Sequence, residues 1–246
     1  MIVRDAGEAW QIVLQTDHAE LSGQLARAWT ERGERFASVE IAARRHDDGW
    51  AVWERMPGLE PGSDRPRNFL DVQVLSHLAF YRAAIAAVTD HEPYAGLLVS
   101  MHGAGIYRHR YGRDPGLELT FAGEVKEQVD AFVAEQEADY DRRAADVGVG
   151  EERRWADYEL LQAFDRLSLY FCMRDVESGE AAELDGLRLE PLGPWRVRLE
   201  PYPFTGSSAR FELLRRVLPK RAWSEDEFRE EFFASALVRT EIAIER

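Results

Sequence analysis

Six residues with metal-binding side chains fall where their helical neighbours are apolar: His18, His46, Asp47, His77, His102 and Asp165. Asp165 is the plainest. In LLQAFDRLSLYFC it shares a face with Leu161, Ser168, Leu169 and Cys172, where an unpaired, unligated carboxylate is costly to bury. His102 sits among Leu98, Val99 and Ile106, and His77 among Gln73, Val74, Phe80 and Tyr81. His18 precedes Leu21 and Ser22 by a turn, and His46-Asp47 follows Ala42-Ala43. Each has an ordinary explanation alone: a hydrogen-bonded core histidine, an ion pair of Asp165 with Arg166 or Arg174, a first-turn place for His18. As a set they put four of the six histidines and two aspartates on inward faces of five of the six helical segments in residues 17–176. Histidine nitrogens and carboxylates converging from facing helices make metal sites.

These residues need helices to carry them. Thr16-Asp17 starts the first, with Asp17 and Glu20 in a capping-box pattern and Leu21, Leu25 and Trp29 as its apolar stripe. Residues 35–48 are the next, ending on the His-Asp pair. PGLEPGSDRPR, residues 57–67, is loop. Residues 68–88, 95–107, 118–146 and 151–175 complete the helices. MIVRD and WQIVLQ read as a hairpin around AGEA. After Gly179 the chain alternates and is cut by prolines. SEDEFREEFFASAL is a capped helix there and TEIAIE a last strand. The expectation is a mainly α, single-domain chain over 1–246. It comprises a hairpin (1–16), a helical metal-binding core (17–176) and a β-rich tail with one helix (180–246), the two ends forming a small β layer.

The 246 residues suffice to bury a real core, and the formal charge is −14. That charge disfavours nucleic acid and anionic membranes as partners and leaves a small-molecule substrate open. A single cysteine, Cys172, fits a reducing cytoplasm. MIVRDAGEAW lacks the apolar core of a signal peptide. The longest uncharged run, Tyr94–Tyr107, is too short to span a bilayer.

In chain order the set reads His18, His46-Asp47, His77, His102, Asp165. This resembles the HD-domain superfamily, all-α metal-dependent enzymes whose minimal pattern is H…HD…D, met by His18, His46, Asp47 and Asp165. Two further histidines mark its binuclear branch, met by His77 and His102. The resemblance spans residues 18–165 and implies an HD-domain-like helical core. It also implies a ligand set: His18, His46 and Asp165 on one metal, His77 and His102 on the other, and Asp47 bridging. Two divalent or mixed-valent ions are expected, iron first, with Mn, Zn or Co as alternatives. Adjacent helical residues point about 100° apart, so one member of an HD pair can serve one ion while its neighbour reaches two. The whole chain also resembles a bacterial family of unknown function, a likeness that supplies no activity.

The resemblance implies two chemistries. Phosphoester or phosphoanhydride hydrolysis comes first, with metal ions activating water and stabilising developing charge. Arg108, Arg110 and Arg113, in a basic loop just after His102, would bind an anionic substrate; a solvated loop explains them equally well. The alternative is a mixed-valent di-iron oxygenase cleaving a C–H bond of a hydroxylated or phosphonate substrate. A degenerate domain that only binds a ligand is the third reading. Asp48 and Lys126 are candidate catalytic groups beside Asp47, although an exposed place explains both. Trp50, where many HD enzymes have a polar substrate contact, could stack on a flat substrate or pack in the core. Loop 57–67 could serve as a lid. A serine or cysteine hydrolase and a glycine-rich phosphate loop lack their sequence context.

Overall fold

The computed structural model describes residues 1–117, 119–177 and 179–246. β1 (Ile2–Asp5) and β2 (Ala9–Val13) pair antiparallel, with Ile2 opposite Val13. β2 runs almost directly into α1 (Gln15–Ala28), whose N-cap is Leu14 rather than a residue near Asp17. The expected capping box does not form, because Glu54 supplies the cap from a distance. Its carboxylate accepts from the Gln15 N–H at 2.5 Å and the Thr16 hydroxyl at 3.3 Å.

α2 (Phe36–Arg45) ends on His46. A 3-10 turn at Asp48–Trp50 leads to the short α3 (Ala51–Glu54). Another 3-10 turn, Phe69–Asp71, precedes α4 (Val74–His91). α5 (Pro93–Ile106) follows, with proline in its first turn and the Glu92 carboxylate capping the Ala95 N–H. The helix expected over 118–146 is two helices, α6 (Gly123–Glu137) and α7 (Tyr140–Asp146); Glu118 lies outside the described residues. The break turns Tyr140 and Ala144 into the core. α8 (Glu151–Met173) is the longest described helix and carries Asp165 on its buried face.

The second half of the chain adds β3 (Ala182–Leu184), β4 (Leu187–Gly193), β5 (Arg196–Glu200) and β6 (Ser208–Pro219). After them come α9 (Glu225–Ala234) and β7 (Val238–Glu245). Ser224 and Glu227 form the capping box expected at α9. All seven strands form one curled mixed sheet, in the order β1-β2-β6-β7-β5-β4-β3. Among the described residues only β5 and β7 pair in parallel. The expectation of a mainly α fold, an all-α core with a small β layer, is therefore overturned. β6 is the cause: its residues 216–219 pair with β2 and its residues 208–215 with β7. The prolines after Gly179 separate short strands as expected, with Pro194 between β4 and β5 and Pro201 just after β5, while Pro191 sits inside β4 at a β-bulge and Pro219 ends β6.

The main core joins helices to sheet, with Phe164, Leu167 and Phe171 of α8 in one cluster with Val13, Leu199 and Leu213. A smaller cluster packs Phe228 and Phe232 of α9 against Met1, Ile12 and Leu218. Among the described residues no helix is long and apolar enough to cross a membrane.

Candidate metal centre

α1, α2, α4, α5 and α8 each bring one or two of the six residues toward the middle of the helical layer. The turn after Asp47 depends on Gly49, where a Cβ would run into the backbone carbonyl of Phe80. α4 therefore lies against the turn. Tyr81, one residue on from Phe80, packs its ring where a Cβ on Gly103 would stand 2.9 Å from Cδ1.

His18, His46, Asp47, His102 and Asp165 are all buried. One ligand atom each from His18, His46 and Asp165 lie within 4.8 Å of one another, and so do one each from His46, Asp47 and His102. His46 Nδ1 donates to the Ala43 carbonyl at 2.9 Å, which leaves Nε2 as the ring nitrogen turned to the carboxylates. That atom is buried and has no hydrogen-bond partner. It faces Asp165 Oδ1 at 3.4 Å and Asp47 Oδ2 at 3.6 Å. His18 is oriented in the same sense. Ser168 donates to the Asp165 carbonyl at 2.8 Å, so its oxygen accepts from His18 Nδ1 at 2.8 Å. His18 Nε2 then faces Asp47 Oδ2 at 2.9 Å and Asp165 Oδ1 at 3.9 Å. Lone pairs of nitrogen and carboxylate oxygen facing each other need a proton or a cation between them. Ligands bound at about 2.1 Å to one ion stand roughly 3.0–3.4 Å apart when adjacent, close to these spacings. The donor set fits a divalent transition metal.

The remaining oxygens are tied back by a single run of donors. Arg110 Nη1 donates to Asp165 Oδ2 at 2.7 Å and to Gln162 Oε1. The Gln162 amide is thereby oriented, and its NH2 donates to His102 Nδ1 at 3.0 Å. His102 then carries its proton on Nε2, 3.3 Å from the Tyr81 hydroxyl, which donates to Asp47 Oδ1 at 3.2 Å. Asp47 Oδ2 and Asp165 Oδ1 remain facing the His18 and His46 nitrogens.

Charge follows this geometry. Burial opposes ionisation of Asp165, but Arg110 and His46 outweigh it and hold the carboxyl well below the usual range. Burial likewise opposes Asp47, yet His46 and His18 bring it down to about 2. Burial also works against a charge on His46, and Asp47 and Asp165 reverse that, raising it to about 9. Desolvation dominates at His102 and His77, pushed down to about 3 and about 4, so both rings are neutral at pH 7.

A cavity of about 340 Å³ opens onto this cluster, with His18, Asp47, His102, Arg110 and Asp165 in its lining. His77 also lines it but joins neither ligand group. Its Nδ1 lies 2.5 Å from the Tyr107 hydroxyl, and its ring meets Trp50 and Tyr81 edge-on. Trp50 is buried and lines the cavity beside His77.

Other candidates lie elsewhere. Asp48 is paired with Arg45 at 2.7 Å and does not line the cavity. Lys126 is exposed on α6 in an i,i+4 pair with Asp130, away from the catalytic place expected for it. Arg108 pairs with Glu137 and Arg113 with Glu159, so neither faces the cavity as a substrate contact. Arg110 does reach it, but spends its guanidinium on Asp165 and Gln162. Three successive left-handed residues, His109, Arg110 and Tyr111, with φ 51°, 51° and 52°, turn it inward. The sequence reading missed Tyr81, Gln162 and Ser168, which are common polar residues in helical stripes. Their one signal was an i±3 or i±4 relation to a candidate metal ligand of the sequence: Tyr81 to His77, Gln162 and Ser168 to Asp165.

Residues 1–220 match the family described as Protein of unknown function (DUF3891), and the chain belongs to it. The match includes every residue of this centre. No curated protein and no solved structure matches the chain.

Proposed function

We propose that the protein is a metal-dependent hydrolase acting on a small phosphoester, with its cation held by His18, His46 and Asp165 and completed by Asp47. The buried Nε2 of His46 carries this reading, because an imidazole nitrogen enclosed by two carboxylates, with no other hydrogen-bond partner, is a place where a cation can displace the ring proton. The order His18, His46-Asp47, Asp165 supports the likeness to the H…HD…D pattern. A bound cation would act as a Lewis acid toward the ester and toward water.

The chain's own groups divide the remaining work. Arg110 and Tyr81 fix the carboxylates, so the ligand oxygens do not rotate. Ser168 and Ala43 fix the two imidazoles. Trp50 and Tyr107 hold His77 at the cavity wall, where its neutral ring can accept a proton and pass it on.

Two observations favour one metal over the binuclear arrangement on which a di-iron oxygenase depends. His77 joins neither ligand group, and His102 turns an N–H toward the position a second ion would need. A second ion is favoured by one fact alone, the proximity of His46, Asp47 and His102. Elemental analysis on protein purified without chelator tests the choice. One equivalent, lost in His18→Ala and kept in His77→Ala, is the expected result. Two equivalents, one of them lost in His77→Ala, would restore the binuclear reading. No bound metal in the unmodified protein would sink both.

A further inference from the structure

The cavity above the metal centre is walled unlike a phosphate site. Phe69, Val72, Val74, Ile106, Phe121 and Leu169 line it, and Leu70 and Leu119 reach it while 68% and 43% exposed. Its polar lining gathers around Asp47 and Asp165. Arg110 is the one lysine or arginine in the lining among the described residues, and Asp165 already neutralises it.

We propose that the phosphoester taken by this cavity carries a single negative charge and an apolar body; the inference rests on the metal-dependent reading above. The room for that body is the cavity of about 340 Å³, a volume typical of small-molecule sites. The charge follows from the floor. Two carboxylates, one guanidinium and a divalent cation leave one net positive charge, which matches a monoanion. A phosphomonoester dianion would bring a second charge with no cation to meet it between apolar walls, where uncompensated charge is costly. The rest of the substrate gains by leaving water, because the aromatic and aliphatic walls offer little else. Sugars and polyols find few partners there: apart from the charged cluster, the polar lining is Gln15, His77, Tyr81, Tyr107 and the Trp50 indole N–H, the last unpaired.

Phosphinates test this directly, since they are monoanions without an ester bond and cannot be turned over. Calorimetric titration with dimethyl-, diethyl- and dibutylphosphinate is run on protein carrying one equivalent of Zn²⁺ and again after chelation. Binding is expected to tighten about three- to fourfold per added methylene, and butylphosphonate, mostly dianionic at pH 9.5, to bind at least tenfold more weakly there than diethylphosphinate. Leu119→Ser, at an exposed position, should weaken dibutylphosphinate and spare dimethylphosphinate. A flat series, or tightest binding by butylphosphonate or inorganic phosphate, overturns the proposal. Failure of the metal reading looks different: with no Zn²⁺ bound, the chain-length slope survives, and a monoanion binds no better than 1-butanol. That outcome removes the charged head from the proposal and leaves an apolar-ligand site.

Discussion

Arg110 stands at the head of a run of donors that ends on Asp47. Through Gln162, His102 and Tyr81 it orients one oxygen of Asp47, and directly, at 2.7 Å, one oxygen of Asp165. One guanidinium thus fixes both carboxylates of the candidate site. Removing it leaves a buried Asp165 charge uncompensated, a loss of about 3–5 kcal/mol for a broken buried pair. Arg110→Met is therefore expected to melt earlier and to bind metal about 10- to 100-fold more weakly. Arg110→Lys keeps the charge but lacks the fork and should recover only part of that affinity. Unchanged metal affinity in Arg110→Met, measured by competitive titration, would remove Arg110 from the site's support.

Metal uptake is expected to depend on pH through His46. In the metal-free protein burial opposes its charge, but Asp47 and Asp165 raise it to about 9. Below that value the ring holds a proton that an incoming cation must displace. Affinity should therefore fall about tenfold for each pH unit below 9, with about one proton released per metal at pH 7. Calorimetry in buffers of different ionisation enthalpy counts that proton. Zero release, with affinity flat from pH 6 to pH 8, would contradict a protonated His46.

The tautomer of His102 is set from outside its ring. Gln162→Glu puts an acceptor opposite Nδ1, which moves the proton there and turns the Nε2 lone pair toward Asp47. A second, weaker equivalent of metal is expected in that variant and none in the unmodified protein. Identical stoichiometry in the two would show that something other than the tautomer limits the second position.

Gly49 is required by contact rather than by backbone conformation. A Cβ there meets the Phe80 carbonyl, so Gly49→Ala must push α4 outward or strain the turn, at about 1–3 kcal/mol. For a chain of this size each kcal/mol lowers the melting temperature by roughly 2–4 °C. The variant should also bind metal less well, because Tyr81 and Asp47 lie on opposite sides of that contact. A melting temperature within a degree of the parent would rule out the close approach.

The candidate ligands were legible because helical periodicity records which faces point inward, and polar side chains on those faces stand out. His18, His46, Asp47, His102 and Asp165 were found that way. The residues that hold them were not. Tyr81 reads as one more core aromatic until Gly103 lets it lie against α5. Arg110 reads as one of three arginines set either for an anionic substrate or for solvent, since left-handed backbone at three ordinary residues has no compositional mark. The sheet was underestimated for a related reason. Pairing of β2 with β6 joins distant parts of the chain, and no local pattern announces it. His77 carried the right neighbours and still missed both ligand groups, because a stripe records the buried side of a helix and not the depth each side chain reaches.

β7 is the last strand in chain order and lies inside the sheet, between β6 and β5. Its Ile242 and Ile244 are fully buried. A chain leaving the ribosome from its N-terminus can pair β1 with β2 early and β4 with β5 later. These are two separate ribbons until residues 238–245 emerge to join them. Completion of the sheet is thus timed by synthesis itself. Until β7 arrives, the nascent chain exposes the pairing edges of β5 and β6.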